Sequence, residues 1–194
     1  MRGERKAMAR KESVTRKMIV DSAFELCGES GFREVTARKL AAKIGCSTQP
    51  IFRVFNGMEE LSAQYIKKAV AYFEEYYDSY DKEYEEPFVD LGLAYISFAQ
   101  SNANYFELLF MNQDKEMHKQ IPSLYEILNG TKGNVTSQIR NAQASGVSDA
   151  QNLFMRMWIF IHGAAAMSIT GDYDLDHDAT ARMLTSTYYA YTKA

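Results

Sequence analysis

Residues 36–55 read TARKLAAKIGCSTQPIFRVF, a pattern that predicts two short helices joined by a tight turn. Thr36 can cap the first helix with its hydroxyl. Gly45 follows the last apolar residue of that helix, where a residue with positive φ commonly ends it. Ser47 is a second candidate N-cap, and Pro50 lies in the first turn of the second helix, where its missing N–H costs little. The spacing of these signals is typical of a helix-turn-helix.

The apolar residues of this stretch indicate which side of each helix is buried. They are Leu40, Ala41 and Ile44 in the first helix and Ile51, Phe52 and Phe55 in the second. Because they recur at helical spacing, we expect all of them to face one core. The start of the second helix then stays exposed, where it can enter the major groove of DNA.

Helices are also predicted on both sides of this unit. The segment VTRKMIVDSAFELCGESGF, residues 14–32, carries an apolar face at helical spacing. The segment NGMEELSAQYIKKAVAYF, residues 56–73, begins a long helix with Asn56 as a candidate cap and Glu59 three residues later. The order and spacing of these elements over residues 14–62 resemble those of the TetR family of bacterial transcriptional regulators.

The resemblance implies an all-α fold with two domains. Residues 1–57, ordered from about residue 13, would form an N-terminal three-helix DNA-binding domain that contains the helix-turn-helix. Residues 58–194 would form a C-terminal helical ligand-binding and dimerisation domain. In this second domain the apolar periodicity predicts a long linking helix at 58–83 and further helices at 88–101, 103–111, 122–144, 148–170 and 176–192.

Carried over position by position, the resemblance also implies a set of DNA contacts. Thr36, Arg38 and Lys39 would face phosphate from the first short helix. The second short helix would present Gln49 to adenine and Thr48 to a thymine methyl group or a phosphate. The complete predicted set is Thr36, Arg38, Lys39, Ser47, Thr48, Gln49, Pro50 and Arg53.

Three positions depart from the family pattern. Phe52 and Val54 stand where many relatives have tyrosine and then tyrosine or histidine, and Met58 replaces a lysine that often opens the next helix. In relatives those side chains usually bond phosphate, so we expect fewer backbone contacts and a flatter salt dependence. The cations that can compensate are Arg10, Lys11, Arg16, Lys17, Arg33, Arg38, Lys39, Lys43 and Arg53.

Charge is distributed unevenly along the 194 residues. Residues 1–58 contain twelve Lys and Arg against six Asp and Glu, a net charge of +6. Residues 59–194 contain ten against nineteen, a net charge of −9. A basic front on an acidic body is expected if only the front meets a polyanion, although a solvated basic tail is the alternative interpretation.

Signals for export or membrane insertion are weak. The N-terminal charges are not followed by the apolar run of a signal peptide, and the most apolar segment, 153–169, is interrupted by Arg156 and His162. Cys27 and Cys46 form no secreted disulfide pattern, and we interpret both as small core residues rather than a thiol switch. We therefore expect a cytoplasmic protein that does not bind membranes.

The last two predicted helices indicate dimerisation. Helix 148–170 is apolar nearly all the way round, which requires burial on more than one side. Its Trp158, His162 and Gly163 resemble one version of the C-terminal domain of the TetR family, in which the last two helices pair with those of a second subunit. The resemblance thus implies a homodimer, and a bundle within one subunit is the alternative.

Aromatic side chains of this second domain are candidates for an effector pocket, because small-molecule sites are mostly apolar with few polar groups. The resemblance implies a small-molecule effector of unknown identity and no cofactor. The alternative is an ordinary core, which is the usual role of aromatic stripes at helical spacing. The candidate residues are Tyr95, Phe98, Asn102, Phe106, Phe110, Tyr125, Arg156, Met157 and His162.

The sequence contains no pattern for catalysis or metal binding. Residues 171–178, GDYDLDHD, have alternating aspartates but lack the Gly and Glu of an EF-hand, and the three histidines are too scattered for zinc. The predicted function is therefore a ligand-responsive repressor that binds a palindromic DNA operator as a dimer, and not an enzyme. The alternative is an adaptor or coactivator that has lost DNA binding, which Phe52, Val54 and Met58 motivate.

Overall fold

The structure is a computed structural model that describes residues 14–192. These residues form eleven α-helices and no strand, which confirms the all-α prediction. The helices are α1 (Arg16–Ser30), α2 (Ala37–Ile44), α3 (Gln49–Val54), α4 (Met58–Ser79), α5 (Val89–Ser101), α6 (Ala103–Phe110), α7 (Lys115–His118), α8 (Leu124–Asn129), α9 (Asn134–Ala144), α10 (Ala150–Thr170) and α11 (His177–Thr192).

The ends of α2 follow the predicted capping signals. The Thr36 hydroxyl accepts a hydrogen bond from the backbone N–H three residues later at 3.3 Å, and Gly45 ends the helix with a φ of 76°. The prediction of Ser47 as the next N-cap is wrong. α3 begins after Thr48, whose backbone is already helical and whose carbonyl accepts the first hydrogen bonds of the helix. The turn therefore continues into α3 without a side-chain cap.

The core of the helix-turn-helix contains the predicted apolar residues with one exception. Leu40, Ile51 and Phe55 are fully buried and Ile44 is half-buried, but Phe52 has 50% of its surface exposed. α3 has only six residues, and Ile51 together with the residue four positions later fills its inner side. Phe52 lies about 100° further round the helix and faces solvent. The prediction that Phe52 is buried is therefore wrong.

α4 links the helix-turn-helix to the rest of the chain. It ends four residues before the predicted end at Glu83, because the backbone N–H groups of residues 83 and 84 donate to the buried carboxylate of Asp90 in α5. At its start Glu60, rather than the predicted Glu59, accepts hydrogen bonds from the backbone and side-chain N–H groups of Asn56, both at 2.9 Å.

The region predicted as one helix over 122–144 is divided by two glycines with positive φ. α8 ends at Gly130 with a φ of 54°, and α9 begins after Gly133 with a φ of 69°. The polar segment before α8 contains the one-turn helix α7, which the Asp114 side chain caps. α10 and α11 begin within two residues of their predicted starts.

α10 is the central helix of the C-terminal part. It is long and apolar enough to cross a membrane by length and composition alone. However, Ile161 of α10 and Leu184 of α11 both pack closely against Gly92 of α5, where an added Cβ atom would lie 2.9 Å from each side chain. The exposed side of α10 also carries Arg156. We therefore interpret α10 as a core helix of the C-terminal part.

α1 and α6 join the helix-turn-helix unit to the C-terminal part. The Tyr105 hydroxyl donates to the Phe24 carbonyl at 3.0 Å, and the two rings stack with their centroids 4.5 Å apart. Asn104 donates to the Gly28 carbonyl at 2.7 Å. One continuous hydrophobic core runs through both parts. α6 is therefore in direct contact with α1, the helix that packs against α2.

Candidate nucleic-acid interface and ligand site

The predicted DNA contacts lie on the surface of α2, α3 and the turn between them. Seven of the eight residues are exposed, and Pro50 is half-buried. A groove of about 550 Å³ is lined by four of the predicted residues, Ser47, Gln49, Pro50 and Arg53. The aromatic side chain of Phe52 also lines it. The other four predicted residues are exposed but do not line this groove: Thr36, Arg38, Lys39 and Thr48.

Arg38 and Arg53 are the predicted cations that remain available to a polyanion. Neither side chain forms a hydrogen bond or an ion pair with another residue in the described range 14–192. Lys39 and Lys43, in contrast, form ion pairs with nearby glutamates. Two arginines therefore carry most of the unpaired positive charge at this surface.

Arg16, which was predicted to compensate for missing phosphate contacts, is engaged within the protein. Its guanidinium donates to the Glu60 carboxylate at 2.9 Å and to the Val54 carbonyl at 3.3 Å, and it lies 4.2 Å from the centre of the Phe55 ring. Hydrogen bonds from Asn56 and from Arg16 lower the pKa of the Glu60 carboxyl. Arg16 therefore connects α1 to the junction of α3 and α4 through an ion pair and a hydrogen bond.

The other predicted compensating cations fall into two groups. Lys17 and Arg33 form ion pairs with acidic residues, at 2.6 Å and 3.8 Å. Arg10 and Lys11 lie outside the described residues. Both described cations remain largely exposed, so their ion pairs are weak and can be exchanged for phosphate.

Several of the predicted ligand residues meet in one aromatic cluster between α5, α6 and α10. The Tyr95 ring contacts Phe106, Phe110 and Trp158, with centroid distances of 4.9, 4.9 and 4.6 Å. His162 completes the cluster, with its Nδ1 atom 3.0 Å from the Tyr95 hydroxyl oxygen. Because these rings contact one another directly, a ligand can enter between them only if at least one ring moves.

Tyr95 and His162 form a neutral pair at the centre of the cluster. Burial raises the pKa of the Tyr95 hydroxyl and lowers the pKa of the His162 imidazole. At neutral pH the tyrosine keeps its proton and the imidazole is uncharged. The cluster therefore offers a ligand apolar walls with one uncharged hydrogen-bonding pair.

The remaining predicted ligand residues are not all near the cluster. Phe98 and Met157 are fully buried, and Asn102 is half-buried with its side-chain oxygen accepting from a tyrosine hydroxyl at 3.0 Å. Tyr125 and Arg156 lie on the surface. The structure does not bring these two side chains to the aromatic cluster.

Phe73 of α4 is a member of the cluster that the sequence analysis did not single out. Its ring centroid lies 6.1 Å from that of Tyr95 and 5.2 Å from that of Phe110, and the side chain is fully buried. Its position on the apolar face of the linking helix was the feature of the sequence that could have identified it. Phe73 therefore places α4, the helix that follows the helix-turn-helix, in direct contact with the cluster.

α10 has an exposed apolar face opposite its buried one. Met155, Ile159 and Met167 have 52%, 66% and 47% of their surfaces exposed and recur at helical spacing, with Gly163 between the last two. Beside them is a largely apolar groove of about 570 Å³, to which Leu175 also contributes. An exposed apolar stripe of this kind is a candidate interaction surface.

The structure gives no support for metal binding in its described part. No group of three or more His, Cys, Asp or Glu side chains between residues 14 and 192 is arranged to hold a metal ion. Cys27 is fully buried, and burial raises its pKa to about 12, so its thiol stays protonated. Cys46 is half-buried.

Comparison with known proteins gives the same domain order. The family model described as "Tetracyclin repressor-like, C-terminal domain" matches residues 88–188, and the model described as "Bacterial regulatory proteins, tetR family" matches residues 19–65. An uncharacterised helix-turn-helix-type transcriptional regulator of Bacillus subtilis, YobS, is 26% identical over 102 residues. The aligned region covers 52% of this chain and 53% of that relative, so the chain spans about half of its length.

Solved structures share the fold at low sequence identity. A TetR family regulator of Vibrio parahaemolyticus is 21% identical with a TM-score of 0.63, covering 90% of this chain and 97% of that one. FadR of Bacillus subtilis, in complex with stearoyl-CoA, is 16% identical with a TM-score of 0.61, covering 92% and 98%. The first family model alone matches more than half of the 194 residues. With the helix-turn-helix in place before that region, this chain belongs to the TetR family of DNA-binding transcriptional regulators.

Proposed function

We propose that this protein is a repressor whose homodimer binds a near-palindromic operator and releases it when a small-molecule effector binds. In this proposal residues 1–57 form the DNA-binding domain and residues 58–194 the ligand-binding and dimerisation domain of a cytoplasmic regulator. The main support for this proposal is that seven of the eight predicted DNA contacts are exposed, while Leu40, Ile51 and Phe55 of the same helix-turn-helix are buried in the core.

Dimerisation is supported by the exposed apolar face of α10. A second copy that covers Met155, Ile159 and Met167 would remove this face from water. The same two-fold axis would place both α3 helices on one side of the DNA. Successive major grooves lie about 34–36 Å apart, and the operator would repeat its sequence about that axis.

The effector site in this proposal is the aromatic cluster around Tyr95 and His162. Its walls are apolar, and FadR of Bacillus subtilis holds stearoyl-CoA in the same fold, so ligands with an apolar part are the first class to test. A ligand that separates these rings displaces Phe73 and hence α4. It can shift the operator equilibrium only by its difference in affinity for the two conformations.

Operator binding is tested by fluorescence anisotropy with the DNA upstream of the gene, at two salt concentrations. A repressor binds one segment of that DNA in preference to unrelated duplexes, and its affinity falls as salt rises. The alternative, an adaptor that has lost DNA binding, gives no saturable binding at micromolar protein. The exposed Phe52 is compatible with either outcome, so this titration decides between them.

Effector binding is tested by melting temperature across a panel of apolar small molecules. A ligand that prefers the folded protein must raise the melting temperature. In the proposed mechanism the same ligand also lowers the affinity for the operator. A compound that stabilises the wild type but not a Tyr95→Phe variant would locate the site at the cluster, with Tyr125→Phe on the surface as the control.

A further inference from the structure

We infer that Phe52 reads the methyl group of a thymine in the operator, and this inference rests on the proposed operator binding. Phe52 lines the groove at the surface of α3. It was predicted to be buried, but half of its surface is exposed. Within residues 14–192 its ring forms no aromatic or cation–π contact. Ile51 beside it has only 1% of its surface exposed, so the exposure of Phe52 is not a general looseness of α3.

Exposure alone does not make Phe52 functional, because single exposed apolar residues are common. Its surroundings are what distinguish it. The same groove is lined by Ser47, Gln49 and Arg53, which offer a hydroxyl, an amide and a guanidinium. These are the groups that bind base edges and phosphates. Phe52 is thus an exposed apolar side chain in a groove whose polar groups are suited to DNA.

The chemistry of the major groove then identifies the partner of the ring. Phe52 has no polar side-chain atom, so it cannot bind a phosphate or form a hydrogen bond to a base. The apolar group that base pairs display in the major groove is the C5-methyl of thymine. Contact between this methyl and the ring removes apolar surface of both from water. Recognition by Phe52 therefore favours thymine over cytosine at one position of each half-site.

Replacing thymine by deoxyuridine tests the inference, because it removes only the methyl group. The operator duplex is one selected from a random-sequence pool by the wild-type protein. Each thymine is replaced in turn, symmetrically in both half-sites, and the affinity is measured by anisotropy. For the wild type we expect one replacement to weaken binding about fourfold per half-site, the size expected for burying one methyl group.

The Phe52→Ala variant supplies the decisive comparison. We expect it to bind the thymine and deoxyuridine operators equally, whereas Gln49→Ala binds both more weakly and keeps the methyl preference. Phe52→Leu, which keeps an apolar side chain, should retain part of the preference. Melting temperatures show that each variant is folded.

The outcomes separate this inference from the function on which it rests. If the wild type selects no operator, the proposed function fails and the inference fails with it. If the wild type binds an operator but no deoxyuridine replacement matters, only the role of Phe52 is overturned. A preference that persists in Phe52→Ala at every thymine the wild type recognises overturns it as well, because other side chains, such as Thr48, must then contact those methyl groups.

Discussion

Arg53 is a single side chain that can separate DNA recognition from folding. Its guanidinium is exposed and has no partner in the described chain, so Arg53→Ala should leave the melting temperature unchanged. Loss of one phosphate contact should weaken operator binding and reduce the slope of log affinity against log salt by about one. The slope is measured by anisotropy at four or more salt concentrations.

The matched control for this change is Arg140→Ala. Arg140 is also exposed and unpaired within residues 14–192, but it lies on α9 in the C-terminal part. Both variants lose one positive charge, so a general effect of net charge would appear in both. Equal effects of the two variants on operator affinity would contradict a specific role for Arg53.

His162 makes the stability of the protein depend on pH. Because burial lowers its pKa below the ordinary value of 6.5, the unfolded chain binds more protons than the folded one near and below that pH. The contribution of the neutral imidazole is therefore fully present above 6.5 and is lost as the pH falls below it. Denaturant unfolding at pH 7.5 and pH 5.5 should show a larger loss of stability for the wild type than for His162→Asn.

The control for the pH effect is His118→Asn, which removes an exposed histidine on α7. This variant should keep the pH dependence of the wild type. If His162→Asn and the wild type lost the same stability between the two pH values, then the acid sensitivity would come from other groups.

The contact between α1 and α6 can be tested at Gly28, which lies inside α1 and directly under Tyr105. A Cβ atom at this position would lie 2.7 Å from the Cζ atom of Tyr105. Alanine is normally more stable than glycine within a helix by about 1 kcal/mol. Here we expect Gly28→Ala to destabilise the protein by about 1–2 kcal/mol, because the displaced Tyr105 loses its hydrogen bond to the Phe24 carbonyl.

The sign of the effect should reverse when the tyrosine is removed. In a Tyr105→Ala background there is no ring for the new methyl group to displace, so Gly28→Ala should stabilise by up to about 1 kcal/mol. The free energies of unfolding of all four proteins complete the cycle. A stabilising effect in both backgrounds would show that α6 does not press on α1 at this point.

In the helix-turn-helix, the ends of α2 could be predicted from the sequence, but the orientation of α3 could not. The caps at Thr36 and Gly45 were predictable because they depend on local backbone chemistry. Phe52 was mispredicted because the sequence of a six-residue helix does not show which of two adjacent apolar residues, Ile51 or Phe52, faces the core. Only the tertiary position of α3 decides this.

The ends of the C-terminal helices also depend on contacts that cannot be predicted from local sequence. Gly130 and Gly133 are visible in the sequence of the region 122–144, but the pattern does not show that the chain turns there and forms two helices. The early end of α4 depends on Asp90 of the next helix, α5, whose carboxylate accepts from the backbone of the intervening loop. Such contacts between elements are not visible in a local pattern. The joining of Phe73 to the ligand cluster is of the same kind.

At the scale of the whole molecule, two connections join the proposed ligand cluster to the proposed DNA-binding surface. One runs through Phe73 into α4, and the other through Tyr105 of α6 into α1. α4 and α1 pack against each other, and α1 packs against α2 of the helix-turn-helix. A ligand that moves α6 relative to α4 would therefore tilt the DNA-binding unit as one body, and in a dimer this changes the separation of the two α3 helices.

Ile159 is the position where the dimer that this mechanism requires can be tested. It is the most exposed of the large apolar residues on α10, at 66%, so Ile159→Glu should leave the fold of one subunit intact. In a dimer the new carboxylate would be buried without a partner, a cost of about 3 kcal/mol or more that raises the dimer dissociation constant at least about 100-fold. Analytical ultracentrifugation should then show a monomer, and operator affinity should fall with it because only one α3 helix binds at a time. Leu124→Glu, on the exposed side of α8, should remain dimeric and bind the operator normally. A dimer that survives Ile159→Glu would mean that another surface joins the two subunits, and the separation of the α3 helices would then be governed from there.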